Sequence, residues 1–355
     1  MSGRVGWLLT GGVAALVIIA AVLFRDEISA PTSEQKGAQE TAEYRWKMQS
    51  LWQAGSINQT VFEDFCDRVT EITGGRLVIE PLPVGSVVGY NETLDAVAAG
   101  VLDAQHGGTG YFAGKDPAFG IIGDINGGYE HVRQLTMWFE YGGGKELARE
   151  LFSAYGLYYI GGVSWGHESI PAKKAIRKIA DFSGVKIRAP EGMSQVIFKR
   201  IGAAPVNIPG AEVYTALDRG VVEAADWGTL GMNDDLGFHA IAPYPIYPGF
   251  HSAPIADVAV NMERWNELPN DIKALVEMAV RDFNRDMIER IGIQDAAVAA
   301  AAAEKGIELV AWSAEERRKF REVASGVWAE YAAQSPMAQR IYESHMAFLA
   351  RLGLL

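Results

Sequence analysis

Arg188 stands in "GVKIRAPEGM", at the end of an apolar run and just before a proline and a glycine. Three readings are open for it: a strand cap, a solvated surface charge, or a fork aimed into a cleft to hold an anion. The third is chemically well founded, because a planar guanidinium matches a carboxylate with two parallel hydrogen bonds. Asp226 and Trp227 follow "RGVVEAA". They read as an acid and an apolar ring face at a strand end, or as a turn aspartate beside a core tryptophan. The histidines are His106, His131, His167, His239, His251 and His345, and no two have metal-ligand spacing on an obvious helix. Asp234-Asp235 reads as a solvated turn. There is no P-loop, no H-E-x-x-H and no C-x-x-C. "GGTGYFAG" lacks the dinucleotide pattern and reads as a tight turn beside a ligand or another backbone. Nothing supplies a nucleophile with its base, so an enzyme is disfavoured. The one enzymatic alternative is a lyase or isomerase with His167 as base.

The elements that must position these residues alternate. "YRWKMQSLW" reads as a strand, 59–73 as a helix, "GGRLVIEPLPV" as turn plus strand, and "NETLDAVAAGVLDAQHGG" as a helix leading into a small-residue strand. A helical stretch over 129–154, broken at Gly142 to Gly144, precedes a second unit that begins at "GLYYIGGVSWGHESI". The order predicts α/β layers with parallel strands. A helix, "G-V-x-x-A", strand theme occurs at 91–106 and again at 211–228, as two similar lobes would give. A long helical region with an alanine run at 296–303 follows, then "GIELVAWS" as a final strand returning to a lobe. Residues 314–355 read as helical, with Met337, Ile341, His345, Phe348 and Leu352 on one stripe. Such a stripe needs an apolar partner, its own lobe or another subunit. Two lobes make a cleft, and ligands of open α/β sheets bind beyond the carboxyl ends of the strands.

The chain has 355 residues, a net charge of −12 and a pI near 5.1. That balance argues against nucleic acid, which needs a basic face. It leaves room for a local cationic pocket. The single cysteine, Cys66, lies on an apolar helical face and reads as a buried thiol. At the N-terminus Arg4 precedes an uncharged run at 7–24, followed by Arg25-Asp26-Glu27. This is an export segment, residues 1–30 being a cleaved signal peptide or a retained anchor to the inner membrane. Either way the mature domain works outside the cytoplasm, in the periplasm. Residues 31–43 complete a polar tether.

"GVKIRAPEGM" and then "IGAAPVNIPGAEVYTALDRGVVEAADW" resemble the solute-binding subunits of TRAP (tripartite ATP-independent periplasmic) transporters. The resemblance runs from about residue 44 to the end and includes "ITGGRLVIEPLPVGSVVG" and "YPGFHSAPIADVAVNMERWNELP". "GYFAGKDPAFG" and "AQSPMAQRIYESHMAFLARL" look closest to the subgroup that binds 2-oxo acids and lactate with a metal ion. The resemblance implies a two-lobe, hinged periplasmic binding protein fold with a long connecting helix and an extended C-terminal helix. Lobe 1 takes 44–165 and part of 250–312, lobe 2 takes 166–249, and 313–355 are C-terminal helices that pair two subunits. It implies capture of a small organic acid or sulfonate, delivery to the membrane permease, and no catalysis.

By the same resemblance Arg188 clamps the ligand's carboxylate, and Asp226 with Trp227 serves metal and ligand. Ser50 and Trp52 on one loop, with Gly108 and Tyr111 on another, are placed to close over the ligand; His251 is a ligand contact or a structural histidine. The sequence departs from the subgroup at two places. "FHSAP" puts Ser252 where a glutamate is expected, and the expected glutamine falls on His167. A hard cation wants several oxygen ligands, so the losses argue against a divalent or sodium ion and leave Asp226 as its one candidate ligand. Asp226 would then pair with Arg188 or a protonated His167, turn away, or bind a positive group on a zwitterion such as an amino acid or taurine.

Overall fold

Tyr44–Ser50 is strand β1, with Trp46 and Met48 buried. Helix α1, Ile57–Ile72, begins where the Ser56 side chain accepts a hydrogen bond from the Gln59 N–H, satisfying an orphan donor of the first turn. Its Val61, Phe62, Phe65, Cys66 and Val69 face inward, so the thiol is a core group. Strand β2 (Leu77–Leu82), helix α2 (Thr93–Ala98) and strand β3 (Ala104–Gly108) continue the run. Three helices then intervene: α3 (Pro117–Gly123), α4 (Val132–Tyr141) and α5 (Gly144–Ser153), the break at Gly142–Gly143 separating the last two. Strand β4 (Leu157–Ser164) leads out of this lobe. The second lobe holds β5 (Lys186–Arg188), α6 (Met193–Arg200), β6 (Ala204–Val206), α7 (Val213–Asp218), β7 (Ala224–Ala225) and α8 (Leu230–Asp235). The chain returns along β8 (Ile255–Asn261) and ends in α9 (Met262–Glu267), α10 (Asn270–Ala301), α11 (Ala314–Ala332) and α12 (Pro336–Arg351). These elements come from a computed structural model that describes residues 43–355; the apolar run at 7–24 and nearly all of the tether lie outside the described residues. Among the described residues no helix is long and apolar enough to cross a membrane.

The large sheet has the order β2-β1-β3-β8-β4 and the small one β6-β5-β7. The small sheet is parallel, and so are β2, β1 and β3 in the large one. Strand β8 departs from the all-parallel expectation and runs antiparallel to both β3 and β4. The reason is the crossing. The chain leaves lobe 1 at Ser164 and re-enters opposite it at Ile255, so the two strands meet head to tail at one end of the sheet. The crossing segments are bound to each other, the Glu168 N–H donating to the Ser252 carbonyl at 3.0 Å. A Cβ at Gly249 would lie 2.1 Å from the Glu168 carbonyl oxygen, so only glycine lets the second crossing pass.

Helix α10 touches both lobes, packing on α1 and β4 on one side and α8 on the other; α11 likewise meets α3 and α6. Two sequence expectations change here. "GIELVAWS" makes no strand: Val310 forms a single bridge with Ile246, whose other side is taken by Ile170. The stripe on α12 is satisfied within the chain, with Ile341, His345 and Phe348 buried and α12 packed on α3, α5 and α11. His345 stacks on Trp138 at 3.6 Å and its Nδ1 lies 2.9 Å from the Tyr129 hydroxyl. Burial of the stripe therefore gives no reason for a second copy. Ile341→Ala should lower the unfolding free energy by about 2–4 kcal/mol, the cost of a buried aliphatic truncation, read from urea denaturation; a loss under about 0.5 kcal/mol would contradict this packing.

Candidate functional site

Arg188 is the last residue of β5, and Asp226 follows the end of the neighbouring β7. Parallel pairing of these strands sets Arg188 level with Ala225, so the two charged residues emerge together at the carboxyl edge of the small sheet. Arg188 is 4% exposed. Its Nε donates to the Ile208 carbonyl at 3.0 Å and its Nη1 to the Asp226 carbonyl. Two of the guanidinium's five donors are spent on this anchoring, and the others remain for the space in front. That space is a cavity of about 170 Å³ lined by both lobes and by both crossing segments. Trp227 lines it with its ring held edge-on to Phe238 and its Nε1 donating to the Gly210 carbonyl at 3.2 Å.

Facing Arg188 is an acidic wall. Asp124 closes α3 in lobe 1, Glu168 sits on the first crossing, Asp226 on lobe 2, and Ser252 on the second crossing. Ser252 Oγ lies 2.6 Å from Asp124 Oδ2 and 2.9 Å from Glu168 Oε2. A hydroxyl has one proton to give, so it can donate to only one of these carboxyls, and the other must carry a proton and donate in return. Burial drives both acids that way. Asp124 is pushed up to about 7 and Glu168 is raised well above the ordinary carboxylate range, the Asp226 charge adding to it. Asp226 behaves oppositely. Burial works against its ionised form, but His251 and Arg188 outweigh it and hold the carboxyl below the usual value. Its Oδ1 meets His251 Nε2 at 2.9 Å, and its Oδ2 has no hydrogen-bond partner among the described residues.

Trp52, Gly108, Tyr111, Arg188, Asp226, Trp227 and Ser252 thus line one cavity. Gly108 allows the Tyr111 ring to lie over its strand end, since a Cβ there would meet the ring at 2.5 Å. Three residues stand elsewhere. Ser50 is buried in the wall, donating to Gln59 Oε1 at 2.6 Å. His251 lies behind Asp226 and acts on it rather than on the cavity. His167 does not reach the cavity: its ring nitrogens are buried without partners, and burial holds it down at about 4. Side chains of an extended segment alternate in direction, so its neighbour Glu168 faces the ligand space instead. Sequence reasoning missed Glu168, Asp124, Tyr90 and Trp165; Trp165 Nε1 donates to Glu168 Oε1 at 3.2 Å and its ring stands edge-on to Trp52. The signal for Glu168 was present in "GHESI", read one residue too early.

Glu168, Asp226 and His251 each offer a ligand atom within 4.8 Å of the others. His251 Nε2 already faces Asp226 Oδ1, so the open donors are the unpartnered Asp226 Oδ2 and the Glu168 carboxyl. Two carboxyl groups converging on one point fit a cation that displaces the Glu168 proton, whether a hard metal ion or a ligand's ammonium group. The carboxylate that the sequence lacks at Ser252 is regained at Glu168.

Residues 48–335 match the family described as bacterial extracellular solute-binding protein, family 7. A monocarboxylate 2-oxoacid-binding periplasmic protein of a Nostoc species is 29% identical over 308 residues, covering 86% of this chain and 84% of that one. A TRAP periplasmic solute-binding protein of Rhodobacter sphaeroides, solved open and without ligand, is 41% identical with a TM-score of 0.75, over 87% of this chain and 99% of that one. One from Pseudoalteromonas atlantica, solved with sodium and pyruvate, is 26% identical with a TM-score of 0.77, over 87% and 95% of the two chains.

The wall makes stability depend on pH. The folded state keeps a proton on Asp124 between about pH 4 and 7 that the unfolded chain has lost, so this contribution is complete below about 4 and vanishes as pH rises through about 7. Asp257, buried and also raised to about 7, acts alike. His106 and His345, held down at about 3, and His167 at about 4 act in the opposite sense, but only below about 6.5. Between about pH 6.5 and 8 the ligand-free protein should lose on the order of 1 kcal/mol from each raised aspartate. Urea denaturation at the two pH values checks this, and Asp124→Asn should remove its share; equal slopes in wild type and variant would count against the shared-proton wall.

Proposed function

Because this chain belongs to the bacterial extracellular solute-binding proteins of family 7, the solute-capturing subunits of TRAP transporters, we propose that it takes up a small organic anion, carboxylate or sulfonate, between its lobes and delivers it to a TRAP membrane permease. The observation that carries the ligand class is Arg188: buried, pinned by two backbone carbonyls, and left with free donors toward a cavity bounded by both lobes. Pinning matters because a pre-oriented fork loses little freedom when an anion arrives. Tyr111 and Trp52 lie on the lobe 1 side of the same cavity, and the Trp52 Nε1 donor is buried without a partner. A ligand touching Arg188 and this rim favours the closed arrangement, and it shifts the lobes only by its differential affinity for that state. No step of bond making is involved.

At the other end of the ligand stand Glu168 and Asp226. A metal ion held by these carboxylates would supply positive charge between them and an anionic ligand. The relatives solved with sodium and pyruvate, and with calcium and pyruvate, support a 2-oxo acid bridged in this way. A second reading rests on the unpartnered Asp226 Oδ2: a zwitterion would bring its own ammonium to that oxygen and its carboxylate or sulfonate to Arg188.

Titration calorimetry separates the two. Pyruvate and other 2-oxo acids should bind with calcium or sodium present and weaken on chelation or sodium removal. A zwitterionic ligand such as an amino acid or taurine should bind regardless of the ion. Under either reading Arg188→Ala should weaken binding by about 100-fold or more, the cost of removing one partner from a desolvated charge pair; unchanged affinity in that variant would remove Arg188 from the site. We place the protein in the periplasm, with residues 7–24 as its export segment. Mass spectrometry of the mature N-terminus distinguishes a soluble shuttle from a tethered one.

A further inference from the structure

A second cavity, of about 230 Å³, lies in lobe 1 between α4, α5, β4 and α10. Lys145 opens into it from the first turn of α5 and is 7% exposed. Among the described residues its ammonium makes no ion pair and no hydrogen bond. Two acids, Glu140 and Glu277, line the cavity as well, and both are already engaged. Glu140 pairs with Arg281 at 2.9 Å, and Glu277 pairs with Arg149 at 2.6 Å and accepts from the Tyr158 hydroxyl at 2.9 Å. Arg133 and Arg281 line the same cavity from α4 and α10, and Arg133 has no acidic partner among the described residues. Positive charge is therefore in excess here, in a chain whose net charge is −12.

Each feature of Lys145 is unfavourable by itself. An ammonium drawn into a cavity without a partner loses part of its hydration with nothing in return, and a cation in the first helical turn opposes the helix dipole. Burial accordingly holds this amine below the usual lysine range, with Glu140 and Glu277 drawing it up and Arg149 and Arg281 pushing it down. An anion in the cavity would turn both penalties into attractions. Lys145 inside the cavity, with Arg133 and Arg281 lining it from two other helices, supplies cationic donors suited to a compact oxyanion. We propose that this cavity is a second anion site, separate from the Arg188 cleft, and that it takes a small free carboxylate or phosphate on Lys145. Ile255 lines both cavities, so the two sites lie on either side of one side chain.

Thermal unfolding with inorganic phosphate, at constant ionic strength, tests it in wild type, Arg188→Ala and Lys145→Met. Wild type should gain about 3 °C at an anion concentration tenfold above its dissociation constant. Arg188→Ala should gain the same, which removes the cleft as the source, and Lys145→Met should gain nothing while folding normally. If Arg188→Ala does not fold, the comparison of wild type with Lys145→Met still decides. An equal gain in Lys145→Met, or no gain in any of the three at about 10 mM anion, overturns the proposal.

Discussion

Two chain segments cross between the lobes side by side, tied by the hydrogen bond from the Glu168 N–H to the Ser252 carbonyl. Most of the site follows from that contact. It makes β8 antiparallel in an otherwise parallel group, because exit and return occur at the same end of the sheet. It also brings Glu168 and Ser252, 84 residues apart in sequence, to adjoining places at the mouth of the cleft. Asp124 meets them from lobe 1, and Asp226 with Arg188 from lobe 2. The place where the lobes are joined is thus also where the ionisable groups gather.

Gathering acids away from water is unfavourable unless each charge is compensated or neutralised. This wall uses both means. Asp226 stays ionised with His251 behind it and Arg188 in front, while Asp124 and Glu168 hold a proton across the Ser252 hydroxyl. The result is a cleft with one fixed positive fork and an opposing face that can take positive charge. A simple anion satisfies only the first. A ligand arriving with a cation, or carrying one, satisfies both, and this physical requirement links the two readings of the ligand.

The lobes are not joined by the crossings alone. Helix α10 lies along both, and α11 touches both, so any change of lobe angle must be absorbed where these helices pack. The second cavity is bounded by α10 and by β4, the strand that leads into the first crossing. An anion there would sit against elements that take part in the joining of the lobes.

Much of this was legible in the sequence. Alternation and glycine-bounded helices gave the two α/β units, and the strand ends at Arg188, Asp226-Trp227 and Gly108 were found where a cleft would need them. These are local properties, set by backbone period and by residue type. What the sequence could not decide was the direction of side chains on segments without a periodic partner. His167 and Glu168 are adjacent on an irregular crossing, and only the bond to the second crossing shows which one faces the ligand. The same holds for Asp124, whose meaning comes from Ser252, 128 residues away. The stripe on α12 announced that it must be buried, but its partner proved to be its own lobe. The sequence by itself determined the lobes, the arginine at a strand end and the need for burial, because period and composition are written locally. The tertiary structure alone decided which acids share a proton and which face the cleft, because those depend on contacts between segments that only the crossing brings together.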